Sequence, residues 1–335
     1  VCALAAAGVV ALALLPMFVS SSVVRLFISI CANVTLATAW AFFSGTTRYI
    51  SLATAAFFGV GIYTLAIVHV SLPLPLALPV AALAGFLVAL VVGLSTLRLR
   101  GVYFVVFTFG LTELMHQVIN WWAIKERAIT RYIFTDATHV EIYETLLAVT
   151  LLAVAVAWYV SRTRLGYALR AIGEDETVAR HAGIDTTRVK VLCFAGSAAV
   201  MALVGAVVTL QYPYIDAGIA FNSSWSFEVL IAALLGGPTR PWGPALGAIA
   251  LVLLKDQLVG SLYFPIALGM CFVVIVYFLP GGIAPLIERC YAAFDAKAVL
   301  QALRTGRLPD GWEWPHRLKF GLKAGLARFN ALWRL

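Results

Sequence analysis

The sequence predicts an all-α fold: a polytopic membrane helical bundle of about 8–10 transmembrane helices, with broken or re-entrant segments among them. Three observations lead there. Of 335 residues, 62% are hydrophobic and 12% charged, with a mean hydropathy of +0.94, whereas soluble domains carry about 45–50% apolar and about 25% charged residues. Apolar runs recur at the length of about 20 residues that a helix needs to cross a bilayer. Lys and Arg collect in particular connecting segments, as in the cytoplasmic loops of membrane proteins. The net charge of +8 therefore belongs to loops beside a lipid bilayer, and no nucleic-acid partner is expected.

In chain order the candidate spans are 1–20, 23–43, 50–70, 75–97, 102–122, 142–161, 189–211, a broken pair at 226–237 and 243–259, and 262–280. The first lacks a charged leading region and reads as a membrane helix rather than a signal peptide. Arg98 and Arg100 follow the fourth span, and Arg162, Arg164 and Arg170 follow the sixth. Two intervening spans put both clusters on one side, which the positive-inside rule makes cytoplasmic. Arg25 and Lys125–Arg127 then fall outside, a minority. These boundaries give a transmembrane domain over 1–290, with a cytoplasmic loop at 162–188, and a basic cytoplasmic tail over 291–335. In the tail, Leu318, Leu322, Leu326 and Phe329 recur at helical spacing among Lys319, Lys323, Arg328 and Arg334. That suits an amphipathic helix on an anionic leaflet as well as it suits a solvated terminus.

Two spans are interrupted by glycine. "SLATAAFFGVGIYT" places Gly59 and Gly61 mid-span, and "SFEVLIAALLGGPTRPWGPALGA" stops a helix at Gly236, Gly237 and Pro238. Each begins with a serine, Ser51 or Ser226, then an apolar run, then the glycines, the pattern of an internal repeat. Proline removes a backbone donor, and freed backbone groups are tolerated in hydrocarbon only where protein or a water-lined cavity satisfies them. Half-helices of this kind can line a substrate path; glycine in a membrane helix also serves close packing. Both readings stand for these five residues.

Ionisable residues inside spans are costly and call for a function or a partner. Glu113, His116 and Gln117 share one helix face in "LTELMHQ", where they line a pore or pair with one another and a neighbouring helix. Glu228 is expected near an interface at a helix start, and Lys255 and Asp256 are expected to snorkel. The five cysteines, Cys2, Cys31, Cys193, Cys271 and Cys290, lack metal-ligand spacing and read as small core residues. No phosphate-cradling glycine loop, zinc-hydrolase helix or nucleophile elbow occurs. The chain therefore reads as a non-enzyme without cofactor or metal.

The segment 162–190, "RTRLGYALRAIGEDETVARHAGIDTTRVK", is the exception, with ten formally charged residues between apolar spans. Leu165, Leu169, Ile172 and Ala179 suggest a short helix with one apolar stripe, limited by Gly173 and Gly183, before Asp185 caps the next span. The stripe either docks on a partner or packs on the underside of the bundle.

This segment and the helix after it resemble the permease subunits of branched-chain amino-acid ABC importers, of the LivH/LivM type and nearest LivM. "SLATAAFFGVGIYT", "TLRLRGVYFVVFTFGLTEL", "SFEVLIAALLGGPTRPWGPALGA" and "FLPGGIAPLI" match further stretches in the same order, covering most of 45–290. The resemblance implies that 162–188 is the coupling loop gripped by an ATPase, with Leu165, Leu169, Ile172, Glu176, Ala179 and Gly183 as its residues. Of the importer pattern E-A-A-x-x-x-G, the second alanine and the glycine fall on Ala179 and Gly183, and Glu176 stands one place early. It further implies a second LivH-type permease subunit, two cytoplasmic ATP-binding subunits, a periplasmic solute-binding protein, and a multi-pass location in the inner membrane. The expected work is ATP-driven import of branched-chain amino acids by alternating access. The alternative is a stand-alone channel or ion-coupled carrier for a small polar solute such as an amide or urea. The chain departs from the family where a Gly-Gln pair usually precedes Ser51 and Gly-His follows Leu52; it has Arg48, Tyr49, Ala53 and Thr54. A glycine-rich loop after the fifth span is also replaced, by "NWWAIKERAITRYIF".

Overall fold

The computed structural model describes residues 19–99, 101–126, 130–133 and 137–258, with isolated positions on either side. The spans expected at 262–280 and over most of 1–20, and the tail 291–335, lie outside the described residues. The helices are α1 (Ser21–Trp40), α2 (Thr54–Val68), α3 (Leu74–Thr96), α4 (Val102–Lys125), α5 (His139–Ser161), α6 (Arg164–Glu174), α7 (Glu176–His181), α8 (Thr186–Thr209), α9 (Ala217–Ala220), α10 (Ser224–Gly236) and α11 (Gly243–Leu258). A wide π-type turn, Ala41–Gly45, prolongs α1. Among the described residues, six segments are long and apolar enough to cross a membrane: Ser21–Gly45, α3, α4, α5, α8 and Ala217–Gly236. The all-α membrane bundle holds, with one addition. Strands β1 (Arg131–Tyr132) and β2 (Tyr214–Ile215) pair antiparallel across two connecting loops.

Helix α8 is the centre, because its small residues let neighbours approach. Gly61 of α2 lies against the backbone of Ala202, Gly205 against the Phe58 carbonyl, and Gly85 of α3 against the Ala202 methyl; a side chain at any of the three would collide. Lipid tails are as apolar as leucine, so such close backbone approach, rather than hydrophobic drive, holds membrane helices together. Phe194 adds an aromatic cluster, with Phe43, Phe57 and Phe104 at centroid distances of 5.1, 5.3 and 6.4 Å. Helices α1 and α5 are joined by Thr35 donating to Thr150 at 2.8 Å, deep in the bundle. Away from this core, α3 and α4 turn Leu83, Val91 and Val106 outward, a surface suited to lipid. Cys31 and Cys193 are buried, free thiols.

The run 50–70 is not one continuous span. Helix α2 begins only at Thr54, and 48–53 is non-helical. The second interruption is a tight hairpin of α10 and α11. The backbones of Gly236, Gly243 and Gly247 touch, and Gly237 ends α10 at φ +100°, a conformation open to glycine. Gly282, also at positive φ, packs on Gly237 of the "LLGGP" motif.

Candidate functional site

The charged segment folds as two helices, not one. Asp175 is extended, with φ −154° and ψ 112°, and its carboxylate accepts from the N–H groups of Thr177 and Val178 at 2.7 and 3.2 Å. It thereby ends α6 and caps α7, a role suited to aspartate's short acceptor side chain. Gly173, expected to stop the helix, lies inside α6 beneath the Thr46 carbonyl, where a Cβ would collide. Gly183 ends α7 at φ +84°. Asp185 caps α8 as expected, accepting from the Arg188 N–H at 3.1 Å.

The apolar stripe is divided between two surfaces. Leu169, Ile172 and Ala179 are 0%, 3% and 2% exposed and pack on the chain's own bundle. Leu165 faces outward, together with Tyr167 and Val178. The space above Gly183 is open. The outer face is therefore formed by Leu165, Tyr167, Val178 and Gly183, with Arg180 and His181 between them.

Glu176 fixes the pair of helices in place. Its side chain is 9% exposed and lies 2.8 Å from the ammonium of Lys190, itself 4% exposed, in the first turns of α8. Tyr49 donates to the other carboxylate oxygen at 2.7 Å, and Thr186 donates to the same oxygen as Lys190 at 3.2 Å. Lys190 also donates to the Leu97 carbonyl at 3.2 Å and sits 4.7 Å from the Tyr49 ring centroid. One buried ion pair thus joins α7, α8, the end of α3 and the segment before α2. Buried charges are retained only when paired and fully hydrogen-bonded, and these are. Alongside, Arg48 reaches Glu174 at 2.9 Å on the surface. Arg48 has φ +60°, the one positive-φ non-glycine residue described, at the place where the family resemblance puts a glycine.

Ser51, Leu52 and Ala53, just before α2, are buried, and their backbone groups are hydrogen-bonded largely by side chains from elsewhere. Trp40 donates to the Ser51 carbonyl at 2.7 Å. Thr108 of α4 accepts from the Leu52 N–H at 3.0 Å. Ser226 of α10 donates to the Leu52 carbonyl at 2.8 Å and accepts from the Ala55 N–H at 2.9 Å. Such satisfaction is what allows non-helical backbone inside a membrane bundle. The two serines that open the glycine-broken spans thus lie in one network. Gly59 and Gly61 contact Phe221 and Ala202 in helix packing, while Gly236, Gly237 and Pro238 form the α10–α11 turn against Gly45.

Glu113, His116 and Gln117 pair with one another on the outer face of α4. Gln117 donates to Glu113 at 2.8 Å, and the His116 ring nitrogen lies 3.6 Å from the same carboxylate. Glu113 is 54% exposed at its side chain. Glu228, near the start of α10, is 5% exposed and accepts from Lys255 at both carboxylate oxygens, at 2.9 and 2.8 Å, while the Lys255 side chain is 36% exposed. Lys190 and Tyr49 carry no sequence signal beyond their polarity beside apolar runs.

By fold and site the chain is a multi-pass helical membrane protein with a folded polar element pinned to one end of its bundle. It belongs to the family described as branched-chain amino acid transport system / permease component, whose model matches residues 4–279. It is similar to the high-affinity branched-chain amino acid transport system permease protein LivM of Salmonella typhimurium, 25% identical over 288 residues, covering 72% of this chain and 65% of the relative. The LivM protein of Escherichia coli is 24% identical over 284 residues, with the same coverage of each. The ribose import permease protein RbsC of Haemophilus influenzae is 31% identical over 131 residues, 36% of this chain and 41% of the relative. The alignments thus span just under two thirds of the LivM relatives' length. No solved structure matches the chain.

Proposed function

We propose that the chain is one permease subunit of an ATP-driven importer of branched-chain amino acids in the inner membrane. A LivH-type subunit completes the pore, two ATPases bind on the cytoplasmic side, and a periplasmic binding protein delivers the solute. The observation that carries this reading is the mounting of α6 and α7. Their inner face is locked to the bundle through Glu176 and Lys190, while the outer face leaves Leu165, Val178 and Gly183 accessible. An element held this way moves with the spans it is bound to. ATPase closure against Val178 and Gly183 therefore reaches α8, α3 and the segment before α2, and alternating access follows from the ATPase binding one arrangement more tightly than the other.

Gly183→Trp tests this. It fills the open space on the outer face, and ATP-driven uptake should fall by about 5–150-fold, the range of typical coupling energies, with the protein still in the membrane. Gly183→Asn, which tolerates the left-handed conformation, should retain uptake. Full coupled uptake by the tryptophan variant would contradict the assignment. The rival, a self-sufficient carrier, draws on Glu113 and His116 on the open face of α4; it requires uptake by this chain alone.

A further inference from the structure

We infer that the end of the bundle carrying α6 holds a phosphate-binding cavity belonging to this chain, filled by the headgroup of an anionic phospholipid. The cavity, of about 500 Å³, lies between the end of α1, the end of α5, α6 and the α10–α11 turn. Arg48, Arg162, Arg170 and Arg240 line it, and Glu174 is the sole acidic residue among the lining. Glu174 is engaged by Arg48 at 2.9 Å, and the lining holds four guanidiniums to this one carboxylate.

Two of these guanidiniums are held by aromatic rings. Arg162 stacks 3.8 Å from the Trp158 ring centroid, and Arg170 lies 5.1 Å from that of Tyr167. Arg170 is also tied by its own donors to the carbonyls of Gly166, at 3.4 Å, and Ser161, so it is the stacked Arg162 that offers the fixed donor plane suited to recognising phosphate oxygens in pairs. A second observation is independent of charge. Thr38 lines the same cavity from α1, is 4% exposed, and its hydroxyl has no hydrogen-bond partner among the described residues. It stands seven residues before Gly45 in the chain, and Phe42 and Ala157 add apolar wall to the same cavity. Cationic residues, apolar wall and one deep polar group together match a phospholipid's phosphate, chain and glycerol region. Trp158 and Tyr159 are exposed beside it, as aromatic residues are at a membrane interface, and basic pockets between spans on the cytoplasmic side favour anionic headgroups. Inorganic or other soluble phosphate shares this chemistry.

The test is native mass spectrometry of the full chain, extracted with whatever subunits accompany it and exchanged into detergent containing phosphatidylglycerol or phosphatidylcholine. Phosphatidylglycerol adducts should exceed phosphatidylcholine adducts by about tenfold or more, and Arg162→Gln with Arg240→Gln should remove that preference. Arg98→Gln with Arg188→Gln, at the same end but outside the cavity, should leave it unchanged. Retention of phosphatidylglycerol against excess inorganic phosphate supports the lipid as the source, and displacement supports the phosphate site with a soluble occupant. Equal binding of the two lipids, or equal loss in both double variants, overturns the proposal. So does a phosphatidylglycerol adduct that disappears whenever an ATPase subunit is bound, which would assign the cavity to that subunit.

Discussion

Glu176 and Lys190 lie 2.8 Å apart, 9% and 4% exposed, and this ion pair, with Thr186 donating to the same carboxylate, joins the polar helix α7 to the central membrane helix α8. Its strength is asymmetric. Removing one member of a buried pair strands the other charge, which costs about 3–5 kcal/mol, whereas replacing both with apolar groups is often near neutral. Glu176→Gln or Lys190→Met should therefore destabilise the detergent-solubilised protein by about that amount, and Glu176→Met with Lys190→Met by much less. A thermal-unfolding double-mutant cycle measures both. Additive losses would show that the two side chains do not act as a pair.

Ser226 serves two backbone groups of the interrupted segment at once, the Leu52 carbonyl and the Ala55 N–H. Ser226→Ala leaves the buried Ala55 N–H without its acceptor and the Leu52 carbonyl with only the Thr112 hydroxyl, at 3.3 Å, and should cost about 1–3 kcal/mol. Ser226→Thr, which keeps the hydroxyl, should cost less. Unfolding midpoints of the two variants decide it, and an unchanged midpoint for the alanine variant would refute the bridging role.

Gly61 and Gly110 make a matched pair of opposite expectation. A Cβ at Gly61 strikes the Ala202 backbone, while at Gly110 it meets nothing within 4 Å. Overpacking of this kind costs about 1–3 kcal/mol, so Gly61→Ala should lower the unfolding temperature and membrane yield. Gly110→Ala should leave both unchanged in the isolated chain.

Val178 is 64% exposed on α7 and makes no part of the ion-pair network. Val178→Glu should leave unfolding of the isolated chain within about 0.5 kcal/mol of the parent, as exposed substitutions usually do, yet weaken retention of ATPase subunits on co-purification. Unchanged retention would remove Val178 from the coupling face.

Hydropathy made most of the fold legible. The expected 75–97, 142–161 and 189–211 correspond to Leu74–Thr96, His139–Ser161 and Thr186–Thr209. It failed over 50–70 for a physical reason. An apolar run reports affinity for lipid and says nothing of backbone conformation, and the groups that stabilise the unwound segment, Trp40, Thr108 and Ser226, are scattered along the chain. In the charged segment the stripe Leu169, Ile172 and Ala179 is readable from spacing, which leaves open whether it docks on a partner or packs on the chain's own bundle; these three side chains do the latter. The break falls at Asp175 rather than at Gly173, because the aspartate's capping bonds to Thr177 and Val178 form only in three dimensions. Lys190 looked like one more charge at a span's edge; its meaning depends on Tyr49, which is 141 residues away.

The most direct measurement is labelled leucine uptake into proteoliposomes holding this chain alone, and this chain with its second permease, ATPase subunits and binding protein. The account predicts no uptake by the chain alone under any ion gradient, and uptake by the full assembly that requires ATP. Gradient-driven uptake by the single chain, indifferent to ATP, would contradict it.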